Sequence, residues 1–419
     1  MRDFPGREDR LTEKERRNLD ILDTIRRQRE ISRAEISKIT GLNIVTVSNY
    51  VNSYIRKGLV HETGLDISTG GRRPELLRMN KTFGYSIGVD LGTPHVVEDT
   101  CMVACMLDIS SRVISKEKIK KTEEPVDKFV DKIIGLISSL IKKSAVPRDK
   151  IKGIGFGIWG PLDRYKGTAR YAVEEGETFS YKSMQDAVER KFDLPTTIEH
   201  DSMVAALGEK WSGIGLEEGA NNILYVCGDS SVGLIIKGEL YYGATKSAGE
   251  LNINPPAAEE IPHKRCWEGY RYGCCLRSRG IDLGIPAYAK IYLEEHKSAR
   301  SKILEIAKGD ADKISLSTVI EAAKKRDELA VKLMEDAGSY LGAKIAYLIN
   351  LFNPEAVVVG RGIEKAGDLL LDAVRRTAKM WGYEEAVKVA KIIPTSLGED
   401  SVAVGAADLV IQKVFAKAG

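Results

Sequence analysis

The sequence predicts an α/β chain in three parts. A winged helix-turn-helix head spans residues 1–80, and two α/β lobes follow at 81–200 and 201–419 with a ligand cleft between them. Three observations predict it. At 419 residues the chain is too long for one ordinary domain. Its first 80 residues carry helix caps and a basic Gly-rich hairpin turn. The rest twice runs through strands, a helix and a further strand.

In the head, Leu19, Ile21, Leu22 and Ile25 have helical spacing within Asn18 to Arg29. Ser32 and Glu35 form a capping box that opens a second helix. Ile36 and Ile39 are expected to face inward, and Gly41 to end the helix. Asn43 can cap a third helix that runs to about Lys57, with Val47, Val51 and Tyr54 or Ile55 inward. Helix, short Gly-containing turn, helix is the pattern of a DNA-reading unit. Asn43, Thr46, Ser48 and Asn49 near the start of that helix can reach bases or phosphates in a major groove. Leu59 to Glu62 and Glu75 to Met79 read as strands of a hairpin, with Gly70, Gly71, Arg72, Arg73 and Pro74 at its tip. Two arginines on such a loop suit a narrow minor groove. The plainer reading is a protein-interaction module, but the caps, the polar face and the Arg-Arg loop all agree on DNA.

In the body, strands are predicted at Tyr85 to Leu91, Cys101 to Leu107, Val113 to Ile119 and Ile151 to Ile158, with a helix from about Pro125 to Lys143. The second series has strands at Ile223 to Val226, Val232 to Lys237, Glu239 to Tyr242 and Ala356 to Val359. Its helices fall near Ile285 to Glu295, Ser317 to Lys325 and Asp327 to Leu351. The last helix, Ser401 to Ala416, reads as amphipathic and is free to pack back on the first lobe.

Net charge is +3, so the chain as a whole is not a polybasic nucleic-acid binder. No run of about 18 apolar residues exists to span a membrane. The charged start has no apolar segment of the signal-peptide kind. Cysteines at 101, 105, 227, 266, 274 and 275 are too sparse for a disulfide framework, and a cytoplasmic protein is expected.

Several segments resemble the ROK family of repressors and sugar kinases, which has the actin-like ATPase (RNase H-like) fold. Glu199, His200, Asp201 and Ser202, followed by small residues and Gly208-Glu209, are similar to the family's Asn-Asp segment. The resemblance makes Asp201 the vestigial counterpart of the base that takes the sugar hydroxyl proton; a plain helix cap is the alternative. Gly249-Glu250-Leu251-Asn252-Ile253 resembles Gly-Glu-x-Gly-His with Glu250 kept and the His lost. The resemblance implies an effector site of His200, Asp201, Glu250, Trp159, Gly160 and Arg277. Trp159 could stack on a sugar face or simply pack. With Arg277 in place of a sugar-binding Glu, an acidic or phosphorylated sugar or a polyol is conceivable. The family's zinc element is altered here, yet His263, Cys266, Cys274 and Cys275 supply ligand types for a structural zinc. Adjacent cysteines rarely share one ion, so a metal-free loop stays open.

ATP is not expected. Asp90-Leu91-Gly92-Thr93-Pro94 loses one Gly and an N–H donor, Gly228-Asp229-Ser230-Ser231-Val232-Gly233 gains a negative charge, and the family's Gly-Gly-Gly becomes Gly360-Arg361-Gly362. The expected molecule is a transcriptional regulator of carbohydrate genes, without catalysis. It binds a double-stranded DNA operator and a sugar-derived effector, as a homodimer or homotetramer; the Asp327 to Leu351 helix and its neighbours could form dimer surfaces or pack within the core of the lobe. The alternatives are a bifunctional sugar kinase and a constitutive DNA binder with a scaffold body.

Overall fold

The computed structural model describes residues 11–65, 75–92, 101–122, 126–160, 162–170, 178–213, 219–228, 231–251, 281–296 and 300–419.

The chain opens with α1 (Glu13–Gln28), whose cap Thr12 exchanges hydrogen bonds with Glu15. A two-residue strand β1 (Ile31–Ser32) leads into α2 (Arg33–Thr40) through the Ser32–Glu35 capping box. Gly41, at φ 72°, ends α2 in the left-handed conformation that glycine holds without strain. α3 (Ile44–Arg56) follows, with Asn43 Oδ1 accepting from the Thr46 N–H at 2.8 Å. Val47, Val51 and Tyr54 form its buried stripe against Ile21, Leu22, Ile25 and Ile36. β2 (Val60–Leu65) and β3 (Glu75–Met79) complete a small antiparallel sheet of order β1-β3-β2. Ile39 does not face inward as its spacing suggests; it is 55% exposed. At 100° per residue it lies about 60° round α2 from Ile36, and this eight-residue helix offers only Ile36 to the core.

The first lobe holds β4 (Tyr85–Asp90), β5 (Cys101–Asp108), β6 (Val113–Lys120), α4 (Val126–Ser144) and β7 (Ile151–Ile158). A small sheet of β8 (Leu162–Asp163), β9 (Thr168–Arg170) and β10 (Thr178–Phe179) comes next, then α5 (Tyr181–Phe192) and β11 (Thr196–His200). α6 (Asp201–Trp211) leads into the second lobe, with β12 (Ile223–Cys227), β13 (Ser231–Ile236) and β14 (Glu239–Leu240). Helices follow: α7 (Ile281–Glu295), α8 (Lys302–Ile306), α9 (Leu316–Lys324) and α10 (Glu328–Phe352). β15 (Ala356–Gly360), α11 (Asp368–Trp381), α12 (Glu384–Val389), β16 (Lys391–Pro394) and α13 (Ser401–Ala416) close the chain.

The main sheets run β6-β5-β4-β7-β11 and β14-β13-β12-β15-β16. Each is an antiparallel three-strand meander extended by two parallel strands on the side of its first strand. The two lobes therefore repeat one topology.

Helices α6 and α13 lie between these sheets. Gly88 of β4 and Gly155 of β7 leave room for the α13 backbone: a Cβ there would stand 1.9 Å from Ala403 O and 2.1 Å from Ala406 O. On β13, a Cβ on Gly233 would stand 1.9 Å from Ser202 O of α6. The helices touch each other in the same way at Gly405, where a Cβ would stand 1.6 Å from Val204 O. Enclosure on every side explains why α13 is not amphipathic: thirteen of its sixteen residues are buried.

The head docks on this central layer. Asn18 Nδ2 donates to Ala416 O at 2.9 Å, and Tyr54 OH donates to Asn18 Oδ1 at 2.7 Å, both buried. Arg26 donates to Trp211 O at 2.9 Å, pairs with Asp23 at 2.7 Å, and lies 4.4 Å from the Trp211 ring centroid. One apolar cluster runs unbroken from Ile21 and Val51 in the head to Val204, Trp211 and Phe415 in the body. Among the described residues no helix is long and apolar enough to cross a membrane.

Candidate functional site

Strand ends and one helix start converge between the lobes. β11 ends in Glu199 and His200, and α6 begins at Asp201. β4 ends at Asp90, β12 at Cys227 and β15 at Gly360, followed by Arg361. Glu250 reaches the same place through a bridge between its backbone and that of Ser231 at the start of β13. Clefts of this kind, with a few convergent polar groups, are where small molecules bind.

His200, not Asp201, caps α6, and its Nδ1 accepts from the Ser202 N–H at 3.3 Å. That nitrogen also lies 2.8 Å from Ser202 Oγ and 3.1 Å from Asp201 Oδ1. Nε2 stands 3.2 Å from Glu250 Oε1, but out of line for a good hydrogen bond, so a buried nitrogen is left under-satisfied. Burial alone would lower the imidazole's pKa. The carboxylates of Asp201, Glu250 and Glu199 outweigh burial and hold it above its ordinary value.

Asp201 is fully buried. Its Oδ1 accepts from the Ser202 N–H at 2.7 Å, and its Oδ2 lies 3.1 Å from Arg361 Nη2 and 3.9 Å from Cys227 Sγ. Glu199 accepts from the His200 N–H at 2.8 Å and pairs with Arg164, which also holds Ile198 O at 3.2 Å. Burial raises the Tyr242 phenol's pKa, with Glu199 adding to the rise. Asp90 Oδ1 accepts from the Gly92 N–H at 2.8 Å, and its Oδ2 lies 3.4 Å from Arg361 Nη1. Burial raises the Asp90 pKa, and Arg361 opposes the rise. Burial also pushes the neighbouring Lys121 down to about 8, against the pull of Asp90.

The structure thus brings His200, Asp201 and Glu250 together. Trp159 and Gly160 follow Ile158, whose register partner across β7 and β11 is His200. They lie at the same C-terminal end of these strands, with Trp159 half-buried and Gly160 at φ 89°. Arg277 lies outside the described residues, as do the zinc candidates His263, Cys266, Cys274 and Cys275 and the wing-tip Arg72 and Arg73. Among the described residues no cluster of three His, Cys, Asp or Glu side chains is placed to hold a metal. Sequence reasoning missed Arg164, Lys121 and the inward reach of Arg361. Arg361 stood in the sequence only as part of a Gly-Arg-Gly run after a buried strand, which does not show where its side chain turns.

On the head, Asn43 and Asn49 are exposed, whereas Thr46 and Ser48 are half-buried. Asn43 spends its side-chain oxygen on the helix cap. Ile44 and Val45, 45% and 66% exposed, share the open face and were not singled out in the sequence.

Comparison with known proteins extends the geometry. The ROK family model matches residues 86–413. The putative xylose repressor of a Caldicellulosiruptor species is 30% identical over 404 residues, covering 94% of this chain and 95% of that protein. The crystal structure of a ROK family transcriptional regulator, a homolog of the E. coli MLC protein, covers 97% of each chain with TM-score 0.72 at 20% identity. A ROK glucokinase from Streptomyces griseus, solved with glucose and AMPPNP, is 26% identical with TM-score 0.62. It covers 78% of this chain and is itself covered to 99%. The chain belongs to the ROK family.

Proposed function

We propose that the protein is a sugar-responsive transcriptional repressor. Its head is a winged helix-turn-helix that reads a double-stranded operator, and its body binds a sugar without phosphorylating it. The similarity to a repressor runs through head and body alike, whereas the glucokinase covers a smaller share of this chain. On α3, Asn49 supplies polar contacts and Val45 an apolar surface suited to a thymine methyl. Similarity to a xylose repressor makes xylose the first effector to test, ahead of an acidic sugar. Paired heads on a palindromic operator would suit a homodimer or homotetramer, and a DNA target fits a cytoplasmic protein.

One observation carries this reading: the candidate effector site and the head sit at opposite ends of α6. His200 and Asp201 are at its N-terminus, and Trp211, which holds Arg26 of α1, is at its C-terminus. Eleven helical residues span about 16 Å, and α6 is buried along almost its whole length. A shift of the first turn when His200 and Glu250 engage sugar hydroxyls is therefore passed to the α1 contact as a rigid displacement. DNA affinity changes by as much as the sugar prefers one arrangement over the other.

The test selects binding duplexes from a random pool with the full chain, then titrates them with a sugar panel. The expected result is one preferred, palindromic sequence whose affinity changes by about tenfold or more with one sugar. Glu250→Gln should lose that response and keep sugar-free DNA binding. A head that selects no sequence, or operator binding blind to every sugar, would sink the proposal. Retention of Asp201 is what favours a second reading, a sugar kinase that also regulates. Asp201-dependent ATP turnover with any hexose or pentose would establish it.

A further inference from the structure

The family includes sugar kinases that use ATP, so the nucleotide must be tested against the residues present. They do not fit it. The guanidinium of Arg361 lies between Asp90 and Asp201, with Nη1 3.4 Å from one carboxylate and Nη2 3.1 Å from the other. All three side chains are buried, exposed by 12%, 9% and 0% respectively. A metal–nucleotide drawn to those two carboxylates would meet a positive charge already hydrogen-bonded to Asp90 and ion-paired with Asp201, the second contact being close but out of line for a hydrogen bond.

We propose that Arg361 is a built-in clamp. Its guanidinium neutralises Asp90 of the first lobe and Asp201 at the head of α6, and so ties both to the second lobe without a nucleotide. Two buried carboxylates facing one another repel, and a cation between them offsets that repulsion and the cost of their burial. A planar guanidinium with two outward N–H edges can bridge two carboxylates at once, which an ammonium does less well. Arg361 comes from the turn after β15, Asp90 from the end of β4, and Asp201 from the first turn of α6. Among the described residues, the clamp therefore joins three elements that no backbone hydrogen bond ties directly to one another. It also makes Arg361 a positioning residue for the effector site, because it fixes Asp201, which lies 3.1 Å from His200.

The backbone permits a clean test. Arg361 sits at φ 72°, where glycine is at ease, so Arg361→Gly removes the side chain without straining the turn. The full-length wild type, Arg361→Gly and Arg361→Lys are melted with and without methylguanidinium, magnesium or magnesium–ATP, at matched ionic strength. Arg361→Gly is expected to lose several degrees of Tm and to regain most of them with millimolar methylguanidinium or magnesium, neither of which moves the wild type. Arg361→Lys should fall between the two. Adding Asp90→Asn to Arg361→Gly should restore stability with no added cation, because one buried charge has gone. This double variant keeps the test open if Arg361→Gly does not fold.

An unchanged Tm for Arg361→Gly would overturn the clamp. So would a loss that neither a cation nor Asp90→Asn repairs, since that would make the role one of packing. A magnesium–ATP shift in the wild type would show the carboxylates open to nucleotide and would also overturn it. The effector-site part of the proposal rests on the sugar-responsive reading. The melting assay contains no sugar, so the clamp can stand where that reading fails, and the reverse.

Discussion

Asp408 on α13 is expected to make the protein less stable as pH rises toward neutrality. Its side chain is fully buried at the seam between head and body. Ser212 donates to Oδ2 at 2.8 Å, while Oδ1 and the Ser111 hydroxyl lack a hydrogen-bond partner of good geometry. Burial raises its pKa from 3.8 to about 7, with Arg26 pulling the other way and Asp23 adding to the rise. A carboxyl raised on folding stays protonated in the native state while the unfolded chain has already lost its proton. Stability is therefore greatest below about pH 4 and falls until the native group ionises near pH 7. At about 1.4 kcal/mol per pH unit, the loss accumulates to roughly 4 kcal/mol. Asp408→Asn copies the protonated acid and removes the loss, and the Ser111 hydroxyl offers the new amide an acceptor. The variant should match the wild type near pH 4.5 and exceed it by a few kcal/mol at pH 7.5. Urea or thermal unfolding of both proteins at four pH values measures this, because every other titrating group cancels in the difference. Parallel curves across the range, or a variant weaker at pH 7.5, would refute the reasoning.

Gly405→Ala and Arg26→Met probe the layer that joins the functions, and Gly135→Ala on α4 lies outside it. Gly405→Ala drives a Cβ to 1.6 Å from Val204 O, a backbone atom that cannot step aside, so a loss of about 3 kcal/mol or more is expected by chemical denaturation. Gly135→Ala, on the exposed face of α4 with nothing within 4 Å, should instead gain about 0.5–1 kcal/mol. Arg26→Met removes the Asp23 pair, the bond to Trp211 O and the stacked guanidinium. It should cost roughly 2–4 kcal/mol and leave the sugar-induced thermal shift intact while abolishing the sugar's effect on operator binding. An unchanged operator response would rule out α6 as the connection.

How much of this was legible in the sequence depends on how far the partners lie along the chain. The head could be read nearly whole because its determinants are local: Ser32 with Glu35, Asn43 with Thr46, and Val47, Val51 and Tyr54 on one helical stripe. The exception, Ile39, had the right spacing, but a two-turn helix has too little core to cover it. Strands β4, β12 and β15 announced themselves as apolar runs followed closely by glycine, whereas β8 to β11 and β16 were not read from the sequence. The effector candidates His200 and Asp201 were visible through the resemblance of the Glu199 to Glu209 segment to the family's Asn-Asp segment.

Arg361 was another matter. Its partners are Asp90, 271 residues away, and Asp201 on α6, and nothing in a run of Gly-Arg-Gly says that the arginine turns inward. The same limit applied to α13. It was read as an amphipathic helix, since a single sequence does not reveal that two sheets and a second helix will close on every face. Glycines placed where backbones nearly touch, Gly88 and Gly155 against α13 and Gly233 against α6, are what make that enclosure possible. They also make the central layer unable to yield locally. Interfaces packed backbone against backbone have few intermediate positions. A change at the Asp201 end of α6 must therefore be absorbed by moving the helix as a body, and the first group to feel it outside the lobes is Arg26.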